Sequence, residues 1–158
     1  MTKHLLVIGA IILAFAAPAS ADPLAIANAH DDAFDAATWK GGCDPQKGLS
    51  FYDKGAVAVY PGEGEEADTR AGIEKLIRNF VAPYCGENHK PPKIANYRIR
   101  AIALGANYIM IIRSADVGAG SDLTHVRATE LIHQSGGKWR YLVDHASIGA
   151  APAATPGK

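Results

Sequence analysis

The sequence lacks an excess of either charge. Its 158 residues carry 16 Lys+Arg against 16 Asp+Glu, so the formal net charge is zero with His neutral. That balance argues against a nucleic-acid binder, which needs a basic surface to displace counterions. Cysteine is scarce: only Cys43 and Cys85 occur. Two are too few for a four-cysteine zinc site, and their spacing is not a C-x-x-C redox motif. No Gly-Lys-Ser/Thr follows the turn Gly62-Glu63-Gly64, so no phosphate-binding loop is present. No internal repeat is found, and nothing calls for a cofactor. What remains is an ordinary folded composition, 48% apolar and 20% charged. The length fits one domain, because a second core would be too small to stabilise itself.

The first 21 residues read as a secretory signal peptide. Lys3 and His4 give a short basic start, and Leu5 to Ala17 is a continuous apolar run. Pro18 breaks it, and Ala19-Ser20-Ala21 is a small-x-small cleavage signal. The run is shorter than the ~20 residues that span a bilayer, and no second run is long enough. The expectation is therefore a secreted or periplasmic protein starting at about Asp22, with no membrane attachment after cleavage. In an oxidising compartment Cys43 and Cys85 read either as one disulfide or as two separate buried thiols.

Helices dominate the first half. Asp22-Pro23 opens a helix over 24–39, with Ile26, Ala29, Ala33, Phe34 and Ala37 as its apolar side and Gly41-Gly42 ending it. Asp44-Pro45 starts a short second helix to about Phe51. Ala56 to Tyr60 is a strand stopped by Pro61-Gly62, and Glu63 to Asp68 is an acidic loop. Thr69 caps a third helix to about Pro83, with Ile73, Leu76, Ile77 and Phe80 as its stripe. Strands follow over 93–104, 108–117, 123–134 and 139–148, joined by turns such as Ser135-Gly136-Gly137-Lys138. Residues 150–158 form an Ala/Pro tail with nothing to bury. Residues 22–149 are thus one α+β domain: three N-terminal helices packed on a curved, mostly antiparallel sheet, leaving a cone open at one end. Tyr108, Met110 and Ile112 lie on one side of their strand and Ile109 and Ile111 on the other. Two apolar faces predict that the outer face is also covered, most simply by a second copy of the chain.

This order resembles the nuclear-transport-factor-2-like cone fold. Residues 51–62 (FYDKGAVAVYPG) are similar to the first-strand segment of SnoaL-like and ketosteroid-isomerase-like domains. Residues 137–147 (GKWRYLVDHAS) resemble their closing strand and the end of the calcium/calmodulin-dependent kinase II association domain. The resemblance implies a small, largely apolar ligand held in the cone by a dimeric binding or assembly module. The alternative it implies is an isomerase, cyclase or dehydratase using a pocket carboxylate as general acid/base.

Carried over residue by residue, the isomerase machinery is incomplete. The Asp base before the strand-ending proline falls on Tyr60, whose phenol is a poor base near neutral pH. The first-helix Tyr falls on Ala36, and the oxyanion-hole Asp falls at or near Glu130. Of the arginines that line the kinase association-domain pocket, at the places of Arg113, Glu130 and Ala146, only Arg113 is kept. By resemblance and strand alternation, Tyr60, Ile109, Ile111, Arg113, Val126, Ala128, Glu130, Arg140, Leu142, Asp144 and Ala146 face inward. Glu130 and Asp144 are the acid/base candidates, and Tyr60, Arg113, Ile111, Ala128 and Leu142 the ligand contacts. A structural ion pair among Arg113, Glu130 and Asp144 is the competing reading. Tyr84 and Tyr97 are further candidates for the pocket wall. His30, Asp31, Asp32 and Asp35 have metal-ligand side chains but read as a solvated helix face. His125, His133 and His145 fall on the outer face, so Asp144-His145-Ala146-Ser147 is not a triad.

Overall fold

The computed structural model describes residues 22–61, 66–85, 92–119 and 121–149. The expected signal peptide, the turn at 62–64 and the tail over 150–158 lie outside them. Among the described residues there are three α-helices: α1 (Pro23–Ala37), α2 (Pro45–Leu49) and α3 (Arg70–Val81). Five strands accompany them: β1 (Tyr52–Val59), β2 (Lys93–Ala103), β3 (Tyr108–Ala119), β4 (Asp122–Ser135) and β5 (Lys138–Gly149). Their order across the sheet is β1-β5-β4-β3-β2. The pairs β2/β3, β3/β4 and β4/β5 are antiparallel, while β1 runs parallel to β5 at the edge. No described helix is long and apolar enough to cross a membrane.

The helices form where their caps say they should. The Asp22 carboxylate accepts from the Leu24 amide, that of Asp44 from Gln46, and the Thr69 hydroxyl from Gly72. Proline at the first helical position follows both Asp caps, where its missing N–H costs nothing. The helix layer is uneven, however. α2 has only five residues and α3 comes after β1, so α1 and α3 supply most of the cover. α2 lies close to its neighbours: a Cβ on Gly48 would sit 2.7 Å from Thr38 Cγ2 and 3.1 Å from Ile77 Cγ2.

The buried side of α1 differs from the expected one. Ala27, His30 and Phe34 are buried, while Ala29 and Ala33 are exposed. In an Ala-rich helix the apolar contrast between faces is weak, so the aromatic Phe34 and the ring of His30 decide which side goes in. On α3 the expected stripe holds: Ile73, Leu76 and Ile77 are buried, joined by Val81. These residues meet Tyr52, Ala56, Ile109, Ile111, Ile132 and Tyr141 from the sheet in one continuous core.

The sheet alternates as expected on β3 and β4 but not throughout β5. Val143 pairs with Leu131 and Tyr141 pairs with Ile132, so Leu142 is an extra residue in a β-bulge. The bulge shifts alternation by one. Tyr141, 0% exposed, takes the inward place expected for Leu142, and Arg140 pairs with the outward His133. Cys43 and Cys85 form a disulfide with Cα atoms 5.9 Å apart, tying the segment after α1 to the segment after α3.

Candidate functional site

Between the helix layer and the concave face of the sheet lies a cavity of about 610 Å³. α1 contributes Asp31, Asp32, Phe34 and Asp35; α3 contributes Leu76 and Phe80. Trp39 and Tyr84 stand in the 3-10 turns that follow those helices, and Tyr60 stands where β1 ends. The sheet floor includes Arg113, Ala128, Asp144 and Ala146.

Of the seven residues expected at the site, Tyr60, Arg113, Ala128 and Asp144 line the cavity. Ile111 does face inward, but it is 2% exposed and packs in the hydrophobic core. Leu142, displaced by the bulge, is not a lining residue. Glu130 is fully inside the protein, beneath Arg113 rather than on the cavity wall. Tyr84 and Tyr97 both reach the wall.

Two polar networks lie at the base. In the first, the hydroxyls of Tyr52 and Tyr60 both donate to Asp144 Oδ2, the Tyr60 bond being 2.9 Å. The two hydroxyl oxygens are also 2.6 Å from each other. Both phenol hydrogens point at one carboxylate oxygen, so the two hydroxyls are drawn together around a shared acceptor. Burial pushes the Asp144 carboxyl above its ordinary range, against the hydrogen bonds from Tyr52 and Tyr60 and the charge of Arg113. Burial likewise raises both phenols well above 10, so each stays a donor.

In the second network Arg113 bridges two carboxylates. Its Nη1 donates to Asp31 and its Nη2 to Glu130. Tyr97 donates to the other oxygen of Asp31 at 2.6 Å. The supposed solvated face of α1 is thereby corrected: Asp31 is an ion-pair partner at the cavity and His30 is core. One guanidinium between two carboxylates neutralises one of them. Glu130, without water contact and beside Asp144, has its pKa raised to about 8, by burial first, with Arg113 opposing. Its second oxygen, Oε2, has no described partner.

His30 lies behind this network. Its ring meets Tyr141 edge-on with centroids 4.4 Å apart, and it also meets Phe51. Neither ring nitrogen has a described partner. Burial lowers its pKa to about 4, so the ring is neutral at ordinary pH. Among the described residues no group of three or more His, Cys, Asp or Glu could hold a metal ion.

Sequence reasoning missed Tyr52, Tyr141, His30 and Asp31. Two had a signal. Stepping the inward set of β1 back from Ala56 reaches Tyr52, and Ala27, His30 and Phe34 fall at helical spacing. Tyr141 had none, because only the bulge turns it inward. Asp31 depends on an ion pair across 82 residues of chain.

No family model matches the chain, and no curated protein matches it. Solved structures do. A ketosteroid isomerase-like protein from Erwinia carotovora atroseptica shares the fold with TM-score 0.62 at 16% identity, over 83% of this chain and 99% of its own. An NTF2-like protein of unknown function from Pseudomonas putida gives 0.64 at 16% identity, over 85% and 99%. A candidate calcium/calmodulin-dependent protein kinase II association domain from Xanthomonas campestris gives 0.62 at 21% identity, over 81% and 87%. Identities this low carry the fold and not the activity. The chain has the nuclear-transport-factor-2-like cone fold that its strand order and closing segment resemble.

Proposed function

We propose that this cone-fold chain is exported and binds one small, largely apolar molecule in its cavity, as a homodimer joined through the outer sheet face. The observation that carries the binding reading is the cavity itself: about 610 Å³ left unfilled between packed layers, walled mostly by apolar and aromatic side chains. A space of that size within a close-packed fold, with a few polar groups converging at its base, is the usual form of a small-molecule site. Support for the dimer comes from register. Ile102, Met110, Leu131, Val143 and Val57 pair in sequence across all five strands on the convex face. Ile102 is 47% and Val143 40% exposed, an apolar band that water covers poorly.

Native mass spectrometry of the exported protein tests the reading in one experiment. The expected spectrum has a chain starting at about residue 22, twice the chain mass, and an added mass from a retained small molecule. A monomer that takes up no apolar ligand would overturn it.

A second reading, an isomerase, cyclase or dehydratase, is favoured by one observation. Asp144 is a buried carboxyl that both lines the cavity and is held by two phenols. Burial raises the pKa of this carboxyl, the direction a general acid needs. In this reading Asp144 is the acid/base, Tyr60 a polarising donor, and Arg113 with Glu130 sets the local charge. Asp144→Asn would abolish turnover of a discovered substrate; unchanged turnover would eliminate the enzyme.

A further inference from the structure

Which end groups the cavity accepts follows from the charges and rings that line it. Arg113 is the one cationic side chain of the described lining, and it is already used: one nitrogen faces Asp31 and another Glu130. A ligand carboxylate, phosphate or sulfonate entering here would have to displace one of those partners. The remaining charged lining is acidic. Asp32 on α1 makes no ion pair with a described residue, and Asp35, one turn on, lies 3.1 Å from Lys40, which does not line the cavity. Asp144, 3% exposed, lies deeper.

The same cavity has an aromatic wall. Trp39 and Phe80 lie with ring centroids 5.4 Å apart, Trp39 and Tyr84 6.3 Å, and Tyr60 and Phe80 5.5 Å. All four rings line the same cavity and pack in one chain, Tyr84–Trp39–Phe80–Tyr60, at steep or tilted angles. Such a cluster attracts a cation through the ring quadrupoles and rejects an anion by the same field. Carboxylates lining the same cavity add direct attraction.

We propose that the ligand is an organic cation, with an apolar body in the cone and an amine or quaternary ammonium end held by Trp39, Phe80 and Tyr84 with Asp32 and Asp35. This rests on the binding reading of the cavity and names its ligand class. The body lies on the apolar floor around Ala128 and Ala146, which has room because both side chains are methyl groups. The cationic end is the discriminating part: the same body ending in a hydroxyl keeps the apolar contacts and loses the charge.

The test is isothermal titration calorimetry of the purified protein with three probes that share one body: 4-phenylbutyl-trimethylammonium, 4-phenylbutanol and 4-phenylbutyrate. The cation is expected to bind about tenfold more tightly than the alcohol. The carboxylate is expected to bind weakest. In Asp32→Asn/Asp35→Asn, which also removes the Asp35–Lys40 ion pair outside the cavity, the cation should lose most of that advantage while the alcohol keeps its apolar contacts. Alcohol binding with no preference for the cation would overturn the ligand class and leave the cavity reading intact. Binding of none of the three would remove both. A cation preference that survives in the double variant at full size would refute the role of the two aspartates.

Discussion

Glu130 and Asp144 are direct cross-strand partners on β4 and β5, with both side chains on the concave face and both buried. Two carboxyls held side by side in the interior cannot both ionise cheaply. Arg113 is the cation that reaches the pair, and it shares itself between Glu130 and Asp31. Burial therefore raises both carboxyls above their ordinary range. This local shortage of positive charge governs the pH and substitution behaviour expected of the protein.

Stability from Glu130 should fall as pH rises from about 4.5 to about 8. The raised value of Glu130, about 8 against an ordinary 4.5, means that the folded chain keeps a proton the unfolded chain has released. Folded stability from this group is present in acid and is lost as pH climbs from about 4.5 through 8. Thermal melting should show a decline between pH 6.5 and 8 that is smaller in Glu130→Gln. An equal decline in both proteins would contradict the assignment.

His30 should act in the opposite direction. Its folded value of about 4 lies below the ordinary 6.5, so stability is full above 6.5 and is lost as pH falls toward 4. His30→Leu removes two unpartnered buried nitrogens and is expected to stabilise the fold by about 1 kcal/mol. It should also flatten the acid side of a melting-temperature profile. A destabilised variant with the acid slope intact would show that the ring is doing something else.

Removing the shared cation should be severe. Arg113→Met strips the ion-pair cation from buried Glu130 and from Asp31, which keeps its bond from Tyr97, and a loss of about 3 kcal/mol is expected in urea unfolding above pH 8, where Glu130 is ionised. Adding Glu130→Gln should recover part of it, because one of the stranded carboxylates is then gone. Simple additivity of the two substitutions in a double-mutant cycle would mean that the two side chains are not coupled.

The disulfide should matter more than any surface contact. It closes a separation of 42 residues, for which the chain-entropy model gives about 4 kcal/mol. Cys43→Ser/Cys85→Ser should unfold at lower urea and be indifferent to reductant, whereas the unmodified protein should drop to the same midpoint when reduced. Equal midpoints before and after reduction would contradict a stabilising bond.

The architecture was readable because its signals are local. Caps at Asp22, Asp44 and Thr69, the stripe on α3, and the turns between the last four strands each need only a few neighbouring residues. The pairing of Arg113 with Glu130 was within reach because alternation on β3 and β4 is unbroken. What alternation could not carry was β5. One inserted residue at Leu142 exchanges the inward places of Leu142 and Tyr141, and neither side chain betrays it in the sequence. On α1 the abundance of alanine hid the true face. Asp31 therefore looked like surface although it anchors Arg113. The Tyr52–Asp144 contact spans 92 residues, which no spacing rule reaches.

The most direct test of the central claim is to fill the cavity. Ala128 and Ala146 are adjacent on the concave face and both line it. The fluorescence of N-phenyl-1-naphthylamine, a neutral apolar probe, should rise to saturation at one site per chain in the unaltered protein. In Ala128→Phe and, separately, Ala146→Phe the affinity should fall at least about tenfold, the effect of losing some 1.4 kcal/mol of contact, with circular dichroism showing a folded chain. Titration curves that superimpose for all three folded proteins would contradict it, because the probe would then be binding somewhere other than the cone.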